Sequence, residues 1–176
     1  HFGKWHLGTL TRDMVDANRG GKPGQEAHYA PPWDHGFEVC FSTESKVPTA
    51  DPMRHPKTGE PYGTRYWTGP GQVATQNLDG DDSRVIMDRV LPFVREAAAA
   101  QRPFFAVIWF HSPHLPLVTT PELEAPYLGL PNSKYLASLA GVDQQMGRLW
   151  DELEELDLAK DTLLWFCSDN GPERVP

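Results

Sequence analysis

The chain has 176 residues, of which 39% are hydrophobic and 23% charged, and it carries a formal net charge of −8 with a sequence pI of about 5.3. This composition is typical of a folded globular domain with a core rather than of a disordered segment. The acidic balance, with no block rich in Lys or Arg, excludes a nucleic-acid-binding surface and leaves anion binding to local groups. No apolar stretch approaches the roughly 20 residues needed to span a bilayer.

The two cysteines, Cys40 and Cys167, lie far apart in the sequence. Their spacing supports neither a zinc ribbon nor a disulfide scaffold. The chain begins with His1 rather than Met. We therefore expect the start of the gene product, and any export signal, to lie upstream.

The first polar cluster is Lys4 and His6, in the stretch GKWHLG at residues 3–8. Alternate residues of an extended segment point the same way, so the two side chains can address one ligand. The flanking Gly3 and Gly8 would let backbone approach that ligand closely. Without further context, a solvated lysine and a capping histidine are the favoured interpretation.

Residues 9–80 are rich in Pro, Gly, Asp, Asn, Thr and Trp and show little sustained periodicity. This pattern predicts a loop-rich excursion with one short strand within residues 33–41. So long a loop is rare in a domain unless it is functional. We expect it to shape a substrate cleft, although its aromatic side chains, such as Trp33 and Trp67, could equally be packed at the surface.

Residues 82–172 are predicted to form a core of helix, strand, helix and strand. A helix capped at Asp82 or Ser83 extends through Ala100, and Pro92 predicts a kink or a restart within it. A second helix covers residues 134–156, with its acidic residues facing away from an apolar stripe. The predicted buried face of the first helix consists of Ile86, Val90, Phe93, Val94 and Ala97, and that of the second of Leu136, Leu139, Val142, Met146, Leu149, Trp150, Leu153 and Leu156.

The strands of this core are continuous apolar runs at residues 103–110 and 162–167, a pattern typical of strands covered on both faces. Short links between alternating helices and strands imply right-handed crossovers. The predicted fold class is therefore α/β, a mostly parallel sheet flanked by helices.

Polar clusters follow both predicted strands, at the edge where parallel sheets bind ligands. His111 and His114 come after the first strand, and Asp169 and Asn170 after the second. A zinc site on the histidines has weak support from spacing alone. We interpret His111 as a partly buried, hydrogen-bonded loop residue and assign His114 to chemistry, since histidine can protonate a leaving oxygen near neutral pH.

Asp169 and Asn170 offer adjacent hard oxygen donors, which favour Ca²⁺ or Mg²⁺. An Asx turn that ends the strand is an equally good interpretation of these residues alone. The acidic run at residues 79–82 lacks the spacing of a calcium loop, so we interpret it as a turn and helix cap.

Together these motifs resemble the sulfatase family. GKWHLG at residues 3–8 is similar to the family's second signature. PFFAVIWFHSPHLP at residues 103–116 resembles its central strand and histidine loop. TLLWFCSDNGP at residues 162–172 resembles its metal-binding strand end. Three motifs in the family's order are far more specific than any one of them.

The resemblance implies an alkaline-phosphatase-like domain that hydrolyses sulfate esters with Ca²⁺ and a formylglycine, which is made from a Cys or Ser by a maturing enzyme. Lys4 would bind sulfate and the nucleophile, and His6 would contact the formylglycine hydrate. His114 would protonate the leaving oxygen, and Asp169 with Asn170 would ligate Ca²⁺. Substrates would be sulfate-ester small molecules or sulfated carbohydrates, and the favoured localisation is periplasmic or secreted.

The departures from the family pattern concern the nucleophile. The Cys/Ser-x-Pro-x-Arg motif and an aspartate pair precede the Gly-Lys-Trp-His turn in the family, and Cys40 lacks the proline and arginine that the motif requires. We expect residues 1–176 to be an internal piece of a catalytic domain, incomplete at both ends and inactive in isolation. Two alternatives stay open: a phosphonate or phosphodiester hydrolase of the same superfamily, and an inactive binding module that retains the fold.

Overall fold

An open mixed sheet organises the computed structural model, which describes residues 1–16 and 26–171. Its strand order is β4-β3-β2-β1-β5, with β1 parallel to both β2 and β5 and the remaining pairs antiparallel. The strands are β1 (Phe2–Lys4), β2 (Phe41–Thr43), β3 (Trp67–Gly69), β4 (Gln72–Val73) and β5 (Ile108–Trp109). The α-helices are α1 (Asp82–Ala99), α2 (Pro121–Glu124) and α3 (Ser133–Glu155), with single 3₁₀ turns at Glu26–His28, Pro32–His35, Ala125–Tyr127 and Ala159–Asp161.

Helix α1 covers one face of the sheet and α3 packs against α1, which confirms the predicted α/β class. Phe2 of β1 and Phe41 of β2 are in register and point into this core. The ring of Phe41 stacks on Tyr66 with centroids 4.0 Å apart. The core also contains Val85, Ile86, Met87, Val90, Leu91, Val94, Leu149 and Leu153.

The opposite face of the sheet carries an aromatic group. His1 packs edge-on against Trp5 and Trp109, with ring centroids 4.9 and 5.0 Å apart. Trp5 and Phe37 extend this group. Trp109 is nevertheless 42% exposed, so this side of the sheet is less completely covered than the α1 side.

Gly3 and Gly8 lie where the backbone comes close to other parts of the chain. A Cβ on Gly3, whose φ is 99°, would lie 1.9 Å from the carbonyl oxygen of Trp109. A Cβ on Gly8 would lie 2.7 Å from the Cβ of Ala30. Gly3 thus allows β1 and β5 to pair at their close register.

The N-cap of helix α1 is Asp81, one residue before the predicted cap, so the helix begins at Asp82. The side chain of Asp81 accepts a hydrogen bond from the backbone N–H of Arg84 at 2.8 Å, as an N-cap does. The helix does not restart at Pro92, which lies within a single element. Four residues of the predicted buried face are buried: Ile86, Val90, Val94 and Ala97. The fifth, Phe93, is only partly buried.

Helix α3 is placed as predicted, but its buried face differs. Leu139 and Trp150 are 41% and 45% exposed, whereas Glu152, predicted to face solvent, is buried. Arg95 of α1 holds Glu152 through two hydrogen bonds, from Nε at 2.7 Å and from Nη2 at 2.5 Å. An opposite charge on the facing helix therefore overrides the amphipathic pattern at this position.

The predicted pattern of helix, strand, helix and strand is wrong at its last strand. Residues 162–167 form no strand, and Leu163, Trp165 and Phe166 are 90%, 80% and 68% exposed. A strand needs a partner for its backbone groups, and no strand in the described part of the chain pairs with this segment. Pro172, the last residue of the predicted core, lies outside the described residues.

The apolar run at residues 103–110 is also less regular than predicted. Only Ile108–Trp109 forms a strand, and it is one of the two edge strands of the described sheet. Phe105 is 77% exposed, so burial on both faces is wrong for this run. By contrast, residues 9–80, predicted to be rich in loops, contribute β2, β3 and β4.

Candidate active site

Lys4 and His6 lie at the carboxyl end of β1. Lys4 is the last residue of the strand and is in register with Thr43 of β2. The parallel hydrogen bonding continues for two more residues, because the N–H groups of Trp5 and His6 donate to the carbonyls of Thr43 and Glu44 at 2.9 and 3.0 Å. His6 has a left-handed φ of 55° and an exposed side chain, while Lys4 is half-buried.

His111 and His114 lie in the turn that follows β5. The backbone N–H of His114 donates to the carbonyl of His111 at 2.8 Å, which closes the turn. Nδ1 of His114 donates to the carbonyl of Leu115 at 2.6 Å. Since a carbonyl only accepts, Nδ1 of His114 carries the proton of this hydrogen bond.

The sheet topology brings two of the three predicted clusters to one edge. β1 and β5 are adjacent and parallel, with Phe2 opposite Ile108. Their carboxyl ends therefore carry Lys4, His6 and His114 at the same edge of the sheet, where α/β proteins bind ligands.

The third cluster is not brought to this edge by any described contact. Asp169 and Asn170 are exposed. Their described hydrogen bonds are local: the amide of Asn170 donates to the carbonyl of Gly171, and Ser168 donates to the carbonyl of Asn170. This cluster follows residues 162–167, which are not part of the described sheet.

A fully buried hydrogen-bond network lies beneath the carboxyl edge. Nδ1 of His111 is 2.7 Å from a carboxylate oxygen of Asp82, and Nε2 of His111 is 2.8 Å from the hydroxyl of Thr43. The hydroxyl of Tyr66 donates to the other oxygen of Asp82 at 2.5 Å. All four residues are at most 2% exposed. The interpretation of His111 as a hydrogen-bonded loop histidine is confirmed, but its ring is fully rather than partly buried.

Sequence reasoning missed the other three members of this network. The acidic run that contains Asp82 predicts only a turn and a helix cap, and Thr43 and Tyr66 lie in the region predicted to be loop-rich. The one available signal was the pair of carboxylates, Asp81 and Asp82, at the start of α1. Nothing local in the sequence connects Asp82 with a histidine 29 residues away.

Two further buried carboxyl groups, Glu44 and Asp16, flank the Lys4 and His6 segment. Glu44 accepts a hydrogen bond from the N–H of Leu10 at 3.3 Å, and its Oε1 is buried without a hydrogen-bond partner among the described residues. Burial, with the nearby charge of Asp16, raises the pKa of Glu44 to about 7. Asp16 accepts from Trp67, Arg65 and Thr64, at 2.8, 3.0 and 3.2 Å.

A family model described as Sulfatase matches residues 1–176, the whole chain. The chain belongs to the sulfatase family. It is 27% identical to arylsulfatase G of Mus musculus over 97% of the chain and 33% of that protein. It is 27% identical to N-acetylgalactosamine-6-sulfatase of Canis lupus familiaris over 96% of the chain and 29% of that protein.

The chain is also similar in sequence to a bacterial sulfatase and in fold to a solved structure. The chain is 24% identical to endo-4-O-sulfatase of Bacteroides thetaiotaomicron, over 97% of the chain and 37% of that protein. Its fold superimposes on Ps i-CgsB, solved in complex with k-i-k-neocarrahexaose, with a TM-score of 0.59 at 17% identity, over 89% of the chain and 33% of that structure. The chain therefore spans about a third of the length of these sulfatases, and the structural likeness supports the fold.

Cys40 occupies the wrong edge of the sheet to act as a sulfatase nucleophile. It immediately precedes β2 and thus lies at the amino end of the parallel strands, opposite Lys4 and His6. Its thiol is buried and contacts the carbonyl of Phe37 at 3.5 Å. Burial raises the pKa of the Cys40 thiol, which disfavours the reactive thiolate.

The donor chemistry of Asp169 and Asn170 fits a hard cation such as the calcium that the sulfatase family implies. Two oxygen donors are fewer than the six to eight that calcium takes. Within residues 1–16 and 26–171, no group of three or more His, Cys, Asp or Glu side chains could hold a metal ion. In the same residues, no helix is long and apolar enough to cross a membrane.

Proposed function

We propose that the chain is part of the catalytic domain of a sulfuric-ester hydrolase, of the arylsulfatase or carbohydrate sulfatase type. The reaction would use Ca²⁺ and a formylglycine supplied by a part of the protein outside this chain. The match of the sulfatase family over residues 1–176 carries the proposal. The common edge occupied by Lys4, His6 and His114 supports it.

The proposed roles follow from the charge and position of each side chain. Lys4 supplies the positive charge that an acidic chain needs to attract a sulfate anion, and it binds sulfate and the nucleophile. His6 contacts the formylglycine hydrate and assists the release of sulfate. His114 donates the proton on Nε2 to the leaving oxygen, since its Nδ1 is engaged by Leu115.

Asp169 and Asn170 are proposed as two of the calcium ligands. Bound calcium would withdraw charge from the sulfate oxygens and favour attack at sulfur. To contribute, the segment 162–167 would have to join the sheet beside the carboxyl edge, which would bury its exposed apolar side chains. This requirement is consistent with the exposure of Leu163 and Trp165 when the segment is unpaired.

The proposed substrates are sulfate-ester small molecules or sulfated carbohydrates, in keeping with the names of the relatives. A formylglycine-generating or sulfatase-maturing enzyme is the proposed partner, and a periplasmic or secreted location is the proposed site of action. Neither nucleic acid nor a membrane span enters the proposal.

The experiment that tests this function compares aryl sulfate, aryl phosphodiester and aryl phosphonate as substrates of the full-length protein. We expect sulfate-ester hydrolysis to be the fastest. Faster turnover of the phosphodiester or phosphonate would assign the protein to that class of hydrolase. No turnover of any ester by protein shown to carry formylglycine would identify an inactive module.

His114→Ala is the matched test of the proposed acid. We expect kcat to fall by about 100-fold or more, because a positioned proton donor contributes about 10²- to 10⁴-fold. The loss should be smaller for an aryl sulfate with an acidic phenol, which leaves without protonation. His55→Ala, an exposed histidine in a distant loop, serves as the control. Wild-type turnover by His114→Ala would remove His114 from the mechanism.

A further inference from the structure

The hydrogen-bond donors of the network around His111 determine how many protons it holds. Thr43 donates its single hydroxyl proton to the carbonyl of Ser45 at 2.6 Å, because a carbonyl can only accept. The Thr43 oxygen is therefore an acceptor toward His111, and Nε2 of His111 must carry a proton. Tyr66 donates its own proton to Asp82.

A second proton lies between Nδ1 of His111 and Asp82, because two acceptors cannot share a contact of 2.7 Å without one. The pair is either imidazolium with carboxylate or imidazole with carboxylic acid, and its net charge is zero in both cases. Both ring nitrogens are occupied in fixed hydrogen bonds. His111 therefore has no nitrogen with which to exchange a proton with a substrate.

The groups around the pair keep this arrangement stable. Burial, followed by the charge of Asp82, raises the pKa of Tyr66 well above its usual range, so its hydroxyl stays a donor. Asp81, the cap of α1, is the other charged group that acts on Tyr66. The side chains of His111 and Asp82 are both 0% exposed, so water does not compete for these hydrogen bonds.

The network holds the two strands that flank the Lys4 strand. β1 lies between β2 and β5, and the hydrogen bond from His111 to Thr43 joins the ends of those outer strands. Because Lys4 is in register with Thr43, this bond sets the spacing of the sheet at the level of Lys4.

The same network anchors the turn that carries His114. Its first residue, His111, is held by the buried network and accepts the backbone N–H of His114. The far end is held by Thr49, whose hydroxyl donates to the carbonyl of Val118 at 2.6 Å and accepts its N–H at 2.8 Å. Thr49 also donates its N–H to Pro116 at 3.2 Å. His114 is thus held between two anchors.

We propose that the buried His111 and Asp82 pair, locked by Thr43 and Tyr66, is the positioning device for His114 and takes no part in proton transfer itself. The inference rests on the proposed function of His114 as the acid. It assigns to His111 a role distinct from that of its neighbour three residues away.

Nuclear magnetic resonance of the imidazole nitrogens tests the proposal without any activity. In the 176-residue chain, labelled with ¹⁵N, we expect His111 to show a proton on Nε2 and a second proton shared between Nδ1 and Asp82. Thr43→Val removes the acceptor for Nε2 and should change the signals of both His111 and His114. Thr68→Val, the same change at an exposed position of β3, should change neither. An Nε2 of His111 without a proton, or an unchanged His114 signal in Thr43→Val, would overturn the proposal.

Kinetics in the full-length protein separate positioning from a merely structural role. We expect Thr43→Val to lower kcat about 10- to 100-fold for an alkyl sulfate, whose leaving group needs a proton, with little change in KM. The loss for nitrophenyl sulfate should be under about 3-fold. Thr43→Ser keeps the hydroxyl and should restore the alkyl sulfate rate.

The outcomes of the two experiments are distinguishable. Equal losses on both sulfates, or no rescue by Thr43→Ser, would contradict positioning. If the wild-type protein hydrolyses no sulfate ester, the proposed function fails, whereas the resonance experiment still decides whether the network holds His114 in place.

Discussion

At the scale of single residues, burial determines which carboxyl groups near the carboxyl edge carry charge. Asp82 shares its proton with His111 and accepts from Tyr66, so its negative charge is balanced. Asp16 accepts three donors, yet burial still raises its pKa. Among the described residues, the Glu44 carboxylate accepts one hydrogen bond, from the N–H of Leu10, and its Oε1 has no partner, so it is the most weakly compensated of the three.

Glu44→Gln should therefore stabilise the fold at alkaline pH. The pKa of Glu44 is raised from 4.5 to about 7 on folding, so the folded state binds more protons and stability falls as pH rises from about 4.5 through 7. Gln keeps the shape and carries no charge. We expect the free energy of unfolding at pH 8 to rise by about 1 kcal/mol, a figure discounted for partial solvation, with no gain below pH 4.5. Urea unfolding at both pH values measures this difference.

Glu38→Gln is the control for that measurement, since Glu38 is exposed and should change little at either pH. A loss of stability in Glu44→Gln at pH 8 would show instead that the ionised carboxylate is held by a favourable partner.

At the scale of elements, helix α1 combines a capped N-terminus and a buried apolar face with a proline in its interior, which is unfavourable in a helix. Its N-cap, Asp81, satisfies a terminal N–H, and its apolar face packs on β1 and α3. Pro92 lies on the exposed face in the middle of the helix. Proline lacks the N–H that would bond to the carbonyl four residues earlier. Packing of the buried face therefore holds the helix together across this position.

Pro92→Ala should raise the free energy of unfolding by about 1–2 kcal/mol. The change restores one backbone hydrogen bond and removes a steric conflict, and the greater freedom of the unfolded chain offsets part of the gain. Thermal or urea unfolding measures it. Pro121→Ala is the matched control, because Pro121 occupies the first turn of α2, where proline is favourable. A lower stability in Pro92→Ala would show that the proline shapes α1 for its packing.

Helix α3 shows how a facing element alters a periodic pattern. The spacing of Val142, Leu149 and Leu153 predicted their burial correctly. Glu152 is buried beside them because Arg95 of α1 binds it with two hydrogen bonds, an arrangement that also lowers the pKa of Glu152. The amphipathic pattern of one helix contains no information about the charge on the other.

At the scale of the whole molecule, the main feature is apolar surface that the described chain leaves uncovered. Phe105, Leu163, Trp165 and Phe166 are each more than two-thirds exposed. Large exposed apolar patches are typical of association surfaces. The isolated chain should therefore associate with itself as its concentration rises.

Leu163→Lys should reduce this self-association without loss of stability. Leu163 is 90% exposed, so we expect the free energy of unfolding to change by less than about 0.5 kcal/mol. Sedimentation at several protein concentrations measures association, and urea unfolding measures stability. Leu7→Lys makes the same change at a leucine that is 64% exposed and remote in sequence from the patch. Equal effects of the two variants would attribute the result to net charge, and a destabilised Leu163→Lys would show that residues 162–167 are packed.

The sequence by itself determined the helices, the family and the candidate residues. Apolar spacing located α1 and α3 because a helix is defined by contacts three and four residues apart. The order of three short motifs indicated the sulfatase family, which the family match confirms. The apolar run before His114 also predicted that this residue follows a strand, at the edge where parallel sheets bind ligands.

Only the tertiary structure decided which strands pair and which polar groups meet. The hydrogen bonds of His111 reach Asp82 and Thr43, 29 and 68 residues away. No local pattern specifies such a contact, because its energy depends on burial that exists only when α1, β2 and β5 are assembled. The apolar run at residues 162–167 has the composition of a strand, but it forms no strand in the described chain. Strand formation requires a neighbouring strand, which no local pattern can supply.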